Sequence, residues 1–118
     1  MPQRAWYKIT WHKVYINFGS ELTARLVGLN RKDLKAYLDE KIKVPAVIGD
    51  RLDFLVELYR CLRRTYGNDA SKSWLRRKRT SLDGQSPQDI LSNGWRPLSK
   101  LPQKVLKLAL DLEPNHER

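Results

Sequence analysis

Apolar residues recur every three or four positions along most of this chain, a spacing that predicts amphipathic helices. The pattern is clearest from Asp50 to Tyr66, where one face carries Leu52, Leu55, Val56, Tyr59, Leu62 and Tyr66. Arginines fill the last turns of this segment, where cations complement the helix dipole, and Gly67 is expected to terminate it.

The segment from Trp6 to Phe18 fits two patterns. Helical spacing places one set of apolar residues on a single face, namely Tyr7, Trp11, Val14, Tyr15 and Phe18. Tyr7, Ile9 and Trp11 also alternate, as they would in a strand. We predict a helix, and a hairpin turning at His12–Lys13 is the alternative.

Two helices are expected next. The first begins with Ser20 as N-cap, turns Leu22, Leu26 and Val27 inward, and stops at Gly28 in a left-handed conformation. The second is capped by Asn30 and runs to about Glu40, with inward residues Leu34, Tyr37 and Leu38. Residues 41–49 are expected to be a connector, because a residue before proline, here Val44, disfavours helix.

The rest of the chain predicts three more helices. One covers Asp69 to about Arg79, with Ala70, Trp74 and Leu75 inward, and is followed by a turn at Asp83–Gly84. Another starts at Ser86, with Pro87 at N1 and Asp89 at N3, and ends by Asn93–Gly94. The last runs from about Pro102 to Leu112, and its apolar stripe comprises Leu98, Leu101, Val105, Leu108 and Leu112. The tail after Pro114 is expected to fray, and the whole pattern predicts an all-α fold.

The net charge of the chain indicates which classes of macromolecule it is expected to bind. The 118 residues include 23 Lys and Arg against 13 Asp and Glu, which gives a formal net charge of +10. Such an excess attracts polyanions: nucleic acid first, an acidic protein surface second and an anionic membrane third.

The helices on either side of Gly28 have the spacing of a helix-turn-helix motif. A small residue, Ala24, lies four positions before the glycine, and apolar Leu29, Leu34 and Tyr37 follow it. The exposed face of the second helix gives the candidate DNA-binding residues Asn30, Arg31, Lys32 and Lys35. Arg31 or Lys32 would contact guanine, and Asn30 adenine or a phosphate. The alternative is a helical hairpin with a solvated basic face, and the carboxylates of Asp33, Asp39 and Glu40 must point sideways if DNA binds.

A second group of cations lies between residues 72 and 79. It comprises Lys72, Arg76, Arg77, Lys78 and Arg79. We consider two interpretations: a second phosphate-binding patch, or a solvated face beside an acidic partner surface.

Catalytic and metal-binding chemistry is not indicated. The histidines, His12 and His116, lie near opposite ends, and Cys61 falls in an apolar helical pattern as a reduced core thiol. We expect no enzyme activity, no cofactor and no metal site. We also expect a cytoplasmic protein, since no transmembrane stretch or signal peptide is evident.

From Trp74 onward the chain resembles the toxin-binding domain of the Xre/MbcA/ParS family. The residues that carry the resemblance are Trp74, Leu75, Leu82, Gly84, Ser86, Pro87 and Leu91. The preceding helix and the upstream helix-turn-helix also suit Xre-type members of that family. We expect mainly structural roles for the motif residues, with Trp74 in the core.

The resemblance implies a two-part protein, with a helix-turn-helix DNA-binding region over residues 1–48 and a toxin-binding domain over 49–118. It would be a homodimeric antitoxin of a type II toxin–antitoxin system. It would neutralise a toxin, commonly an NAD-consuming RES-domain protein, and repress its own operon through double-stranded DNA.

The chain departs from the family pattern in two places. Lys78–Arg79 replaces a frequent Pro-Asn pair, and the C-terminal tail from Asp111 lacks the usual glycine. The resemblance implies that C-terminal residues block the entrance to the toxin's active site, and the absence of this glycine argues against that role for the tail. Two alternatives follow: a stand-alone phage or plasmid regulator that reuses the fold, and a protein-interaction module whose helix-turn-helix does not bind DNA.

Overall fold

The protein is all-α. A computed structural model describes residues 11–39 and 41–112. Helix α1 covers residues 11–18 of the described part, and it is followed by α2 (Ser20–Val27), α3 (Arg31–Leu38), α4 (Ala46–Thr65), α5 (Asn68–Arg76), a 3-10 turn (Thr80–Leu82), α6 (Pro87–Ile90) and α7 (Lys100–Leu110). Within the described ranges there is no strand, and Arg79 and Gln85 form an isolated β-bridge. No helix there combines the length and the apolar composition needed to cross a membrane.

Helix α4 lies at the centre and contacts α2, α5 and α7. Five residues of its predicted apolar face are buried, namely Leu52, Leu55, Val56, Tyr59 and Leu62, whereas Tyr66 is the C-cap and only partly buried. Cys61 is also buried, as expected. The predicted start at Asp50 is wrong, because α4 begins at Ala46 and buries Ile48 and Gly49. Proline restricts the residue before it, whereas the residues after it are free to enter a helix.

Helix α1 confirms the helical prediction for residues 11–18. Trp11, Val14 and Phe18 are buried, and the Trp11 indole donates a hydrogen bond to Asp53 Oδ1 at 2.8 Å. The hairpin alternative is wrong, since His12 and Lys13 lie inside the helix. Residues 6–10 lie outside the described part of the chain, as do Glu40 and the tail from residue 113.

Both halves of the chain contribute to one hydrophobic core, which includes Leu26 and Leu34 together with Leu75, Leu91 and Val105. The expected boundary between residues 48 and 49 falls inside the first turn of α4. A continuous helix therefore joins the two regions.

Two side chains link the end of α2 to the C-terminal half. The Trp95 indole donates to the Leu26 carbonyl, and Arg51 donates from Nη1 to the Val27 carbonyl at 3.0 Å. Arg51 also donates from Nε to the Trp95 carbonyl at 2.9 Å. Because the last carbonyls of a helix have no partner within it, these bonds satisfy α2 and fix its position.

Most of the predictions for helix-capping residues and turns are confirmed, and one is wrong. Gly28 is left-handed, Asn30 caps α3, and Ser86 and Asp89 form a capping box, all as predicted. Ser20 is not an N-cap, because Gly19 occupies that position and no side chain caps α2. The turn at Asp83–Gly84 is also present, with both residues at positive φ.

Several predicted limits and inward residues of the C-terminal half are wrong. Helix α5 ends at Arg76, three residues early, and its inward residue near the start is Ser71 because Ala70 is exposed. Helix α6 is a single turn that ends at Ile90. Helix α7 begins at Lys100, and Leu98 lies before it with 89% of its side chain exposed. Leu98 therefore does not belong to the packing stripe.

Candidate nucleic-acid interface

The helix-turn-helix unit is formed by α2, Gly28 and α3. Gly28 has φ 83° and ψ 32°, and the N–H groups of Gly28 and Leu29 both donate to the Ala24 carbonyl at 2.9 Å. Ala24 and Leu34 are buried, and α2 contacts α3. The short residue at Ala24 and the left-handed glycine are the two features that this motif requires.

The start of α3 presents the candidate base-contacting residues to solvent. Asn30, Arg31 and Lys32 are all exposed. The Asn30 side-chain oxygen accepts the Asp33 N–H at 2.8 Å, so it is committed to capping. Bidentate recognition of adenine needs both the oxygen and the nitrogen of the amide, which leaves Arg31 and Lys32 as the groups suited to read a base.

Lys35 differs from these residues because it has an acidic partner. Its Nζ lies 2.8 Å from Asp39 Oδ2, one turn later on the same helix. Their hydrogen bond raises the pKa of Lys35 and lowers the pKa of Asp39. The Asp39 carboxylate thus pairs along the helix and partly offsets the positive field of Lys35, so Lys35 should attract a phosphate less strongly than Arg31 and Lys32 do.

The five cations of the predicted second basic patch have different surroundings. Lys72 and Arg76 lie one turn apart on α5 and therefore share a face. Lys78 lies 3.6 Å from an Asp89 carboxylate oxygen. Arg77 is exposed beyond the end of the helix.

Arg79 has a structural role in the turn after α5. Its guanidinium lies 4.5 Å from the centre of the Trp74 ring and donates to the carbonyls of Trp74 and Arg77. Burial lowers its pKa. The Arg79 side chain therefore packs against Trp74 and bonds to the backbone, and it is not available to bind a ligand.

Lys72 and Arg76 instead meet the helix-turn-helix in a groove of about 540 Å³, which we call the basic groove. Arg25 from α2 and Arg31 from α3 also line it, beside the first turn of α2. In the described ranges none of these four cations forms an ion pair. Arg25 could not be identified as a groove residue from the sequence, because the helical pattern of α2 does not show which exposed side faces α5.

The residues on which the resemblance to the toxin-binding family was based have structural roles, as expected. The apolar and capping residues among them are buried, namely Trp74, Leu75, Leu82, Ser86 and Pro87. Gly84 has φ 77° and is exposed. Ser86 Oγ accepts the Asp89 N–H, and the Asp89 carboxylate accepts the Ser86 N–H. The motif therefore fixes the turn between α5 and α6.

A second concave surface lies between the start of α4 and the loop before α7. It encloses about 890 Å³ and is lined by Phe54 and Trp95, with Val47 and Leu98 at 57% and 89% exposure. This apolar groove is a candidate surface for contact with another protein.

Metal coordination is not suggested by the described residues, where no group of three or more His, Cys, Asp or Glu side chains comes close enough to hold an ion. No family model, no curated protein and no solved structure matches the chain. Functional assignment therefore rests on the motif residues and on the geometry of the two grooves.

Proposed function

We propose that this protein is a DNA-binding antitoxin that represses its own operon and captures a partner toxin. The observation that carries the DNA-binding part is a helix-turn-helix whose second helix begins, on the exposed side, with Arg31 and Lys32. The N-terminal part of that helix is the part that reaches base edges in the major groove. The net charge of +10 supports attraction to the phosphate backbone.

Arg31 is the best candidate for reading a base. Its planar guanidinium can donate two parallel hydrogen bonds to guanine O6 and N7, whereas the lysine ammonium is a point charge. Asn30 contributes an N–H donor to a base or a phosphate, because its oxygen caps α3. As a homodimer, the protein would bind two half-sites about one helical turn apart.

The toxin-binding part of the proposal rests on the Trp74-to-Pro87 motif. Apart from the exposed Gly84, its residues are buried or cap α6, and they build the turn between α5 and α6. The expected partner is a toxin of the RES type. The exposed side chains of Val47 and Leu98 in the apolar groove are the first positions to substitute when that contact is mapped.

A stand-alone regulator without a toxin is the second candidate. The observation that favours it is the basic groove, in which both halves of the chain contribute cations. A C-terminal half that binds DNA need not bind a toxin. Lys78–Arg79, the departure from the family pattern, is compatible with either function because both side chains have partners within the chain.

DNA binding is tested by fluorescence anisotropy with the promoter fragment of this protein's own gene and a shuffled fragment of equal length. Wild type should prefer the promoter. The variant R31Q/K32Q should lose most of that preference, since a base contact contributes about 1–3 kcal/mol of discrimination. K100Q/K104Q removes two exposed cations from α7 and should retain it. Equal binding of wild type to both fragments would refute this part of the proposal.

Toxin capture is tested by co-expression with the product of the adjacent reading frame. The antitoxin proposal expects that product to stop growth alone, and expects this chain to restore growth and to co-purify with it. A neighbour that is neither toxic nor captured would refute the antitoxin role and leave the stand-alone regulator.

A further inference from the structure

The basic groove assembles positive charge from three helices. Arg25 belongs to α2, Arg31 is the first residue of α3, and Lys72 and Arg76 lie on one face of α5. At least 40 residues of sequence separate Arg25 and Arg31 from Lys72, so only the packing of α5 against the rest of the fold brings them together.

The charge of the groove is not neutralised from within the described chain. Glu21 is the one carboxylate that lines it, against four cations. Elsewhere on the surface cations do have acidic partners, as Lys35 has Asp39 and Lys78 has Asp89. Because like charges gathered in a concavity repel one another and attract an anion, the unpaired set indicates a ligand that carries several negative charges.

Polar groups other than the four cations also line the groove. The first turn of α2, residues 19–22, lines it without a side-chain cap, and the Gly19 N–H in this turn donates to the Tyr15 carbonyl at 3.0 Å. Gln88 supplies a further polar side chain to the lining. An anion in the groove would therefore meet an amide donor as well as the four cations.

The position of Arg31 favours DNA as the polyanion that binds in the basic groove. It lines the basic groove and is also the first residue of the helix proposed to enter the major groove. If α3 contacts the bases of a DNA strand, the phosphates of that strand would lie near Arg31 and extend toward α5.

We infer that the basic groove binds the phosphodiester backbone of the DNA strand flanking the base pairs read by α3, with Lys72 and Arg76 as phosphate-contacting residues. This inference rests on the proposed DNA binding. It extends the DNA interface into the half of the protein that resembles a toxin-binding domain. Phosphate contacts fix position on the duplex and carry no base preference, so this part of the interface sets affinity rather than specificity.

The experiment uses the full chain, the promoter fragment and the shuffled fragment over a series of salt concentrations. The variant K72Q/R76Q removes the two α5 cations from the groove. R77Q/K78Q is the matched control, because it removes two cations of the same basic run that do not line the groove. K72R/R76K retains both charges, and urea denaturation establishes that every variant is folded.

The loss of two phosphate contacts should reduce the slope of log K against log salt by about 1.8. K72Q/R76Q should bind both fragments about tenfold to a hundredfold more weakly near 0.1 M salt, with its preference for the promoter unchanged. The control and K72R/R76K should keep the wild-type slope.

Two results would overturn the inference. One is a slope for K72Q/R76Q equal to that of R77Q/K78Q. The other is loss of captured toxin on substitution of Lys72 and Arg76 with no change in DNA binding, which would assign the groove to an acidic protein surface. Failure of the proposed function has a different signature, namely a wild-type protein that does not distinguish the two fragments.

Discussion

Arg51 is the side chain whose removal should most weaken the link between the helix-turn-helix and the rest of the protein. Its guanidinium donates to the carbonyls of Trp95 and Val27 at 2.9 and 3.0 Å and lies 5.9 Å from the centre of the Trp95 ring. Arg51→Met keeps an unbranched stem of similar length and removes the charge and both donors.

The expected loss of unfolding free energy in Arg51→Met is estimated mainly from these two hydrogen bonds. A hydrogen bond to a charged group contributes about 1.5–3 kcal/mol, and the lower value applies because Arg51 is only half-buried. A cation near the C-terminus of α2 adds about 0.3–1 kcal/mol. In the variant, water can donate hydrogen bonds to the two carbonyls and restore part of the lost stabilisation. We therefore expect the free energy of unfolding to fall by roughly 2–3 kcal/mol.

Urea denaturation followed by circular dichroism and tryptophan fluorescence measures this change. Arg64→Met is the control, since Arg64 is an exposed arginine on the same helix, and its substitution should alter stability by less than about 0.5 kcal/mol. If Arg51→Met were as stable as Arg64→Met, the two hydrogen bonds would not hold the end of α2, and the role given to Arg51 would be wrong.

Two further predictions concern local geometry. Gly28→Ala should destabilise more than Gly84→Ala: both residues have positive φ, which costs a side chain about 1–2 kcal/mol, but only at Gly28 would the added Cβ lie 3.3 Å from Arg51 Nη1. Equal losses of unfolding free energy would contradict the crowding at Arg51. Hydrogen bonds from Ser86 lower the pKa of Asp89 below its ordinary 3.8. A lowered folded-state pKa stabilises the protein above the ordinary value, and this contribution is lost as pH falls through the folded value, so Asp89→Asn should flatten the decline in stability below about pH 4. If the stability of Asp89→Asn, measured by denaturation, depended on pH as that of wild type does, the stabilising role of the Asp89 carboxylate would be refuted.

Features that depend on a few neighbouring residues could be predicted from the amino-acid sequence alone. The all-α class, the left-handed Gly28, the Asn30 cap and the capping box at Ser86 follow from local hydrogen bonds and backbone preferences that any surrounding fold would retain. The exposure of Arg31 and Lys32 follows in the same way from the amphipathic pattern of α3.

Tertiary packing decided the rest. Local pattern placed Leu98 in a helix stripe, yet the chain leaves it exposed because α7 starts two residues later. The partners of Arg51 lie 24 and 44 positions away. Likewise, Lys72 and Arg76 join the helix-turn-helix cations only because α5 packs where it does. Periodicity tells which face of a helix is buried, whereas the neighbours of its exposed face depend on how all the helices are arranged.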